Sequence, residues 1–310
     1  MQTLLFMPSV VQSEWLHELL PWMSLTELPV AGRRFIDYAL ESAQKFGFGV
    51  FGILDWHFSN RLLADCNNLT ARGIPVIYQP GKGALPRGLN DLDQIASPFT
   101  NPVQDGLVVG WGLCLSSHKP EEFTYEEVPS AECEETPVGL YLRQDGRWMR
   151  GRPQGIAVKD VRSWQRLSIA VLQNPWLFTL PGYSAEKDVY LGRNVILEHG
   201  THVVPPVILQ DDTWCARNVR LDGDVIVGQR SFIGEGAHLK RTIIGDDTYV
   251  GMGLELEDKI VVGRRIIDAA SGHWTDVEEP GVAQYIRGFG AGWLRKLWRF
   301  FCGTSHGRRH

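Results

Sequence analysis

The feature that most constrains the fold is a six-residue repeat in the C-terminal third of the chain. Every sixth position from Leu191 to Leu239 is aliphatic or cysteine, and after a slip of one residue the series resumes. The positions are Leu191, Leu197, Val203, Leu209, Cys215, Leu221, Val227, Ile233, Leu239, Ile244, Val250, Leu256 and Val262. An amphipathic helix repeats about every 3.6 residues and an alternating strand every second residue, so neither explains the series.

A period of six indicates a triangular solenoid in which three short strands form one coil. Each repeated aliphatic side chain then stacks on that of the coil below, and Gly, Asn or Asp occupy the corners between strands. We therefore predict that every repeated side chain is buried. The slip between Leu239 and Ile244 predicts a shortened corner. Residues 188–268 resemble the hexapeptide-repeat family, and that resemblance implies a left-handed parallel β-helix.

The N-terminal half alternates between apolar strand patterns and amphipathic helix patterns. The segments TLLFMPS, VFGIL, PVIYQ and GLVVGWGLCL are typical of strands, and FIDYALESAQKFG and residues 58–71 are typical of helices. Such alternation predicts a parallel sheet covered by helices. We divide the chain into an α/β domain at 1–182, the β-helix at 183–268 and a tail at 269–310.

Four segments of the α/β half carry a resemblance to a known family. LPVAGRRFIDYAL at 28–40, PGKGALPRGL at 80–89, LVVGWG at 107–112 and VKDVRSWQRL at 158–167 occur in the order found in sugar-phosphate nucleotidyltransferases, the NDP-sugar pyrophosphorylases. The resemblance implies a Rossmann-like nucleotidyltransferase domain, shortened here, followed by the β-helix. It also implies that Asp160 aligns with a metal-binding carboxylate.

Several basic and glycine residues are candidates for nucleotide or anion binding. Lys82 and Arg87 flank Gly83 in the glycine-containing loop, and Arg33 stands at the start of a predicted helix, where a phosphate could bind. Each has a structural alternative: a turn with solvated charges at 82–87, and surface charge at Arg33. Asp160 would equally serve as the N-cap of the helix VRSWQRLSIAVL.

The catalytic motifs of that family are nevertheless degenerate. Nucleotidyl transfer brings two anionic groups together and needs backbone N–H donors, a cation and carboxylates that hold Mg²⁺. No glycine lies between Met1 and Ala31, and Gly112 stands where the family has its second metal-binding Asp. Bulky side chains replace the glycine-rich loop and are predicted to be buried, with residues 13–20 helical and Ser13 as cap. These side chains are Trp15, Leu16, Leu19, Leu20 and Trp22.

These observations favour a catalytically degenerate nucleotidyltransferase-like protein that acts as a binding or scaffold subunit in sugar-nucleotide or surface-polysaccharide biosynthesis. No cofactor is expected. The alternative is an active, Mg²⁺-dependent NDP-sugar pyrophosphorylase. A third reading is a hexapeptide-repeat acyltransferase with His199, His202 or His238 as general base.

The end of the chain is predicted to contact a membrane or a partner. In GAGWLRKLWRFFCG an apolar helical face opposes a basic one, which is typical of helices at a lipid interface. The apolar residues are Trp293, Leu294, Leu297, Trp298 and Phe301, and the basic ones are Arg295, Lys296 and Arg299. The expected partner is an anionic membrane surface or a membrane-associated glycosyltransferase. The same helix would otherwise pack on the chain's own core.

Net charge and cysteine content limit the expected partners and cellular location. A net charge of −5 provides no general basic field, so nucleic acid is not an expected partner. Five loosely spaced cysteines and no secretion signal predict a cytoplasmic protein, peripheral at the inner face of the membrane through its tail. A homo-oligomer is a further expectation.

Overall fold

A computed structural model describes residues 3–6, 14–45, 50–55, 60–80, 108–110, 124–127, 140–144, 147–152 and 158–286. The helices are α1 (Glu14–Leu19), α2 (Phe35–Lys45), α3 (Asn60–Ala71) and α4 (Val161–Gln173), with a 3₁₀ turn at Leu25–Glu27. The first nine strands are β1 (Thr3–Phe6), β2 (Pro29–Val30), β3 (Arg33–Arg34), β4 (Val50–Asp55), β5 (Val76–Pro80), β6 (Val108–Gly110), β7 (Thr124–Glu127), β8 (Leu140–Gln144) and β9 (Arg147–Arg152).

Seven of these strands form one mixed sheet in the order β5-β4-β1-β6-β8-β9-β7. The first four strands in that order run parallel to one another, and β8, β9 and β7 pair antiparallel. Helix α3 forms the crossover between the parallel neighbours β4 and β5. Helix α2 turns its predicted apolar face inward, since Phe35, Tyr38 and Ala39 are buried.

The C-terminal part is a parallel β-solenoid of about four turns. Its strands are β10 (Tyr183–Glu186), β11 (Val189–Leu191), β12 (Ile196–Leu197), β13 (His202–Val204), β14 (Val207–Leu209), β15 (Trp214–Cys215), β16 (Arg220–Asp222), β17 (Val225–Val227), β18 (Phe232–Ile233), β19 (His238–Lys240), β20 (Ile243–Ile244), β21 (Thr248–Val250), β22 (Glu255–Glu257), β23 (Lys259–Val262), β24 (Arg265–Asp268), β25 (Trp274–Asp276) and β26 (Ala283–Tyr285).

The solenoid has three faces, each built from every third strand. Face one stacks β11, β14, β17, β20 and β23, face two stacks β12, β15, β18 and β21, and face three stacks β13, β16, β19 and β22. Antiparallel strands extend two of the faces: β10, β24 and β25 join face one, and β26 joins face two.

The repeat predicts the interior side chains of the middle coils correctly, from Leu209 to Leu256. It is wrong at both ends. Leu197 is 41% exposed and Val203 is half-buried, because no described strand pairs beneath β12 or β13 in the first coil. Leu191, on β11, is half-buried as well. In the last coil the interior position belongs to Val261, not Val262.

Val261 takes the interior position of the last coil because two corners of the solenoid are shortened, whereas the sequence predicted one. The partner of Leu221 lies 18 residues on, at Leu239, whereas the partner of Ile226 lies 17 residues on, at Ile243. This is the predicted slip, and the left-handed Arg241 forms the corner. Asp258, also left-handed, forms a second short corner, so Ile244 pairs with Val261.

Face one joins the solenoid to the α/β part through a common core. The outward side chains of its strands, among them Ile226, Ile243 and Ile260, are buried together with Trp164 of α4. The side-chain amide of Gln165 donates to the carbonyl of Arg241 at 2.7 Å, so α4 is also fixed to a solenoid corner.

Candidate functional site

Helix α1 lies in the segment where the family resemblance requires a glycine-rich nucleotide loop. Leu16, Leu19 and Leu20 are buried as predicted, and Leu16 and Leu20 have no exposed surface. The Trp15 ring packs against the buried Trp164, with ring centroids 6.3 Å apart. The predicted burial of Trp22 is wrong, because this side chain is 60% exposed, and Trp15 is only half-buried. Ser13 lies outside the described residues.

The solenoid holds the C-terminal end of α1 through Arg265 of β24. The Arg265 guanidinium donates to the carbonyl of Leu19 and also binds Asp276 at 2.7 Å. It lies over the Trp274 ring, 3.8 Å from the centroid. Because a helix end has unsatisfied carbonyls, this guanidinium supplies a partner that the short helix cannot provide itself.

Arg33 and its neighbour Arg34 border an open cavity of about 580 Å³ between α2 and α3. The Arg33 guanidinium binds the Glu41 carboxylate at 2.6 Å and the Thr179 carbonyl at 2.5 Å. Arg34 binds Asp37 at 2.8 Å and also Asp65. Both cations are therefore matched by carboxylates within the fold.

The pKa of Glu41 reflects this network. Burial tends to raise it, but hydrogen bonds from Arg33, Lys45 and Thr179 outweigh burial and lower the pKa to about 2. The pKa of Arg34 is raised, since its bonds to Asp37 and Asp65 outweigh its desolvation. An anion entering this cavity would have to compete with carboxylates already bound to the arginines.

Asp160 is the N-cap of α4. Its carboxylate accepts the Ser163 backbone N–H at 2.7 Å, while the Ser163 hydroxyl accepts the Asp160 backbone N–H at 2.9 Å. This reciprocal pair is a capping box, which satisfies two otherwise unpaired donors. Asp160 thus has the helix-capping role that the sequence offered as the alternative to metal binding.

The other predicted site residues lie outside the described part of the chain. These are Lys82, Gly83 and Arg87 of the glycine-containing loop, and Trp293, Leu294, Arg295, Lys296, Leu297, Trp298, Arg299 and Phe301 of the tail. Their roles stay predictions.

Face three carries a polar cluster that includes two of the three histidines considered from the sequence. His238 Nε2 lies 2.6 Å from Asp222 Oδ2, and Arg220 Nη2 lies 3.3 Å from the same oxygen. His202 Nδ1 is 4.0 Å from the other carboxylate oxygen, Asp222 Oδ1, which is buried without a hydrogen-bond partner. His199 is exposed and lies outside this cluster, on the chain between β12 and β13.

A second cleft lies where the α/β part meets the solenoid, and we call it the junction cleft. Its volume is about 200 Å³, and its walls include Trp22, Met23, Gly228, Gly245, Asp246 and Tyr285. Sequence analysis did not single out Tyr285 or Asp246, because neither lies in a recognisable motif.

The described residues show neither a metal site nor a membrane-spanning helix. They contain no group of three or more His, Cys, Asp or Glu side chains arranged to hold a metal ion. Among their helices, none is both long and apolar enough to cross a membrane.

No protein-family model matches the chain, and no curated protein sequence is significantly similar to it.

Proposed function

We propose that this protein is a nucleotidyltransferase-like subunit without nucleotidyl-transfer chemistry, a shortened Rossmann-like domain joined to a left-handed β-helix. It acts as a binding or scaffold subunit in sugar-nucleotide or surface-polysaccharide biosynthesis. The observation that carries the proposal is the burial of Leu16, Leu19 and Leu20 in the segment after strand β1.

The physical argument rests on what a triphosphate needs. Its oxygens require converging backbone N–H groups, which glycines allow by letting the backbone approach closely. Helix α1 instead directs apolar side chains into the core and is held there by Trp164 and Arg265. Opening this segment would expose buried leucines, each at a cost of about 1.5–3 kcal/mol.

The charges of the neighbouring cavity support the same conclusion. Arg33 and Arg34 are the described cations nearest to the family's phosphate-binding segment in sequence, and both are engaged with carboxylates. A cation whose charge is matched inside the fold attracts an external phosphate less strongly than an unpaired one.

The test is a titration of the full chain with UTP, GTP, dTTP and ATP by calorimetry, with and without Mg²⁺. We expect no saturable binding and no release of pyrophosphate in the presence of glucose 1-phosphate. Micromolar, Mg²⁺-dependent nucleotide binding would refute the proposal and favour the active pyrophosphorylase.

One observation favours a second function, that of a hexapeptide-repeat acyltransferase. The contact between His238 and Asp222 on face three has the geometry of a general base oriented by a carboxylate. If this function holds, the protein binds acetyl-CoA along the solenoid, and His238→Gln abolishes acyl transfer while the melting temperature stays unchanged. Absence of acyl-CoA binding removes this alternative.

A further inference from the structure

The junction cleft has an aromatic wall contributed by both parts of the chain. Trp22 follows α1, and Tyr285 belongs to β26, the last strand on face two. Their rings meet edge to face with centroids 6.4 Å apart, and Trp22 keeps 60% of its surface exposed. A large aromatic side chain exposed beside a second ring at the mouth of a cleft is a ready contact surface for a ligand.

On the floor of the cleft, two successive coils have glycine where the coils on either side carry larger side chains. Gln210, Gly228 and Gly245 directly follow β14, β17 and β20, and Val262 is the last residue of β23. Gln210 reaches across to donate a hydrogen bond to the carbonyl of Gly32. Gly228 and Gly245 lie between Gln210 and Val262, and all four residues line the cleft.

Gly228 also fixes the position of a carboxylate. A Cβ at this position would lie 2.5 Å from Asp246 Oδ1 and 2.6 Å from the Asp246 backbone nitrogen, so only glycine allows the next coil and the Asp246 side chain to approach this closely. The same oxygen accepts the backbone N–H of Gln229 at 2.9 Å. The carboxylate is therefore held at the cleft wall by the backbone.

The two neighbouring carboxylates at the cleft, Asp246 and Asp247, differ in their partners. Asp247 is matched by Arg230, which binds it through two nitrogens at 2.6 and 2.7 Å. Among the described residues, Asp246 has no cation within ion-pair distance. Arg230 and Arg61 attract it only from further away, and desolvation outweighs them and raises the pKa of Asp246. Aromatic rings beside a desolvated carboxylate complement a cation, which is attracted to both.

We propose that the junction cleft binds a small organic cation, an ammonium or guanidinium group on a compact apolar body, with Trp22 and Tyr285 contacting the body and Asp246 pairing with the charge. A volume of about 200 Å³ limits the ligand to a few carbon atoms beyond the cationic group. This ligand class follows from the cleft alone and does not depend on the proposed scaffold function.

The experiment is a ligand-detected NMR titration of the full chain with n-butylammonium chloride at pH 8 and low salt. 1-Pentanol serves as the neutral ligand of similar size, and the capped peptide Gly-Lys-Gly presents the same ammonium on a side chain. We expect saturable binding of n-butylammonium and none of 1-pentanol. Tighter binding of the free amine assigns the site to a small metabolite, and tighter binding of the peptide assigns it to a basic side chain.

Variants locate the binding. Asp246→Asn keeps an oxygen for the Gln229 N–H but removes the charge, and it should weaken n-butylammonium binding about tenfold or more. Trp22→Ala should weaken it about threefold to thirtyfold. The matched controls Glu235→Gln and Trp176→Ala alter an exposed acid and an exposed indole that do not line the cleft, and should bind as the wild type does.

Three results would overturn the proposal. They are the absence of saturable binding to either cationic probe, equal binding of 1-pentanol, and binding that survives Asp246→Asn unchanged. Circular dichroism of each variant shows whether the fold is retained. The side chain of Trp22 is largely exposed, so its removal should leave the melting temperature within about two degrees of the wild-type value.

Discussion

Replacing Val227 by aspartate tests the solenoid interior most directly. Val227 has no exposed surface, and its strand neighbours in the stack are Leu209 and Ile244, both buried and aliphatic. The interior cluster around it consists of apolar side chains. Aspartate is close to valine in size, so the substitution mainly introduces a carboxyl group where nothing can hydrogen-bond or neutralise it.

The expected cost at pH 7 is a large part of the total stability. Full burial raises a carboxyl pKa by about 3–5 units, and each unit corresponds to about 1.4 kcal/mol, so ionisation alone costs about 4 kcal/mol at pH 7. The protonated carboxyl still loses its hydrogen bonds to water, which adds about 1–3 kcal/mol. The sum of about 5–7 kcal/mol compares with a typical unfolding free energy of about 5–15 kcal/mol.

The pH dependence separates the charge from the packing. The folded pKa of the introduced carboxyl lies above its unfolded value of about 3.9, so the variant is least destabilised below that pH and loses stability as the pH rises. Val227→Ala removes about two methyl groups, with an expected cost of about 2–3 kcal/mol that does not change with pH.

The assay is urea denaturation followed by circular dichroism at several pH values between about 4 and 8. Val204→Asp is the matched control, because Val204 also lies on a solenoid strand, β13 of face three, but is 39% exposed, and this change should cost less than about 0.5 kcal/mol. If Val227→Asp unfolds at the wild-type midpoint at pH 7, or differs from Val227→Ala by the same amount at every pH, the assigned interior is wrong.

Three further predictions concern the ion-pair network, the helix cap and the tail. Because Glu41 has a folded pKa of about 2 against 4.5 unperturbed, its contribution is present above pH 4.5 and lost as the pH falls through 2. Glu41→Gln should therefore cost about 1–2 kcal/mol at pH 7 in urea denaturation and progressively less below pH 4.5, and a pH-independent deficit would contradict this. Asp160→Ala should cost about 1 kcal/mol with or without Mg²⁺, while Asp160→Ser retains most of the cap; a loss seen only with Mg²⁺ would favour the metal role. A chain ending at Ile286 should co-sediment with anionic vesicles less than the full chain, and equal sedimentation would contradict the membrane role of the tail.

The solenoid could be predicted from the sequence because one inward side chain recurs in each strand and a slip is visible wherever that recurrence breaks. The first slip was detectable because Lys240 to Ile243 interrupts the series. The second was not, since Val261 and Val262 are both aliphatic and a six-residue count accepts either. Only strand pairing decides between them.

The exposure of single residues was predicted less well, because it depends on elements far away in the chain. Leu197 fits the repeat but is exposed, since the first coil has no described strand beneath face two. Asp222 escaped notice although His238 was considered, because the two residues meet only when adjacent coils are stacked in register. A coil length of 18 residues places His238 beside Arg220, and Asp222 lies two residues further along the same strand.

The arginines show how a sequence pattern that predicts a ligand can also contain the argument against it. Arg33 was a candidate because it precedes a helix. The same helix places Asp37 three residues after Arg34 and Glu41 one turn further on, which are positions from which carboxylates reach back to the N-terminal end. Glu41 also accepts hydrogen bonds from Thr179, just before the solenoid begins. The cations therefore connect α2 to the segment that leads into the solenoid. The ion pairs of Arg33 and Arg34 with these carboxylates therefore support a structural role for the N-terminal end of α2. The junction cleft and face three are better candidates for ligand binding.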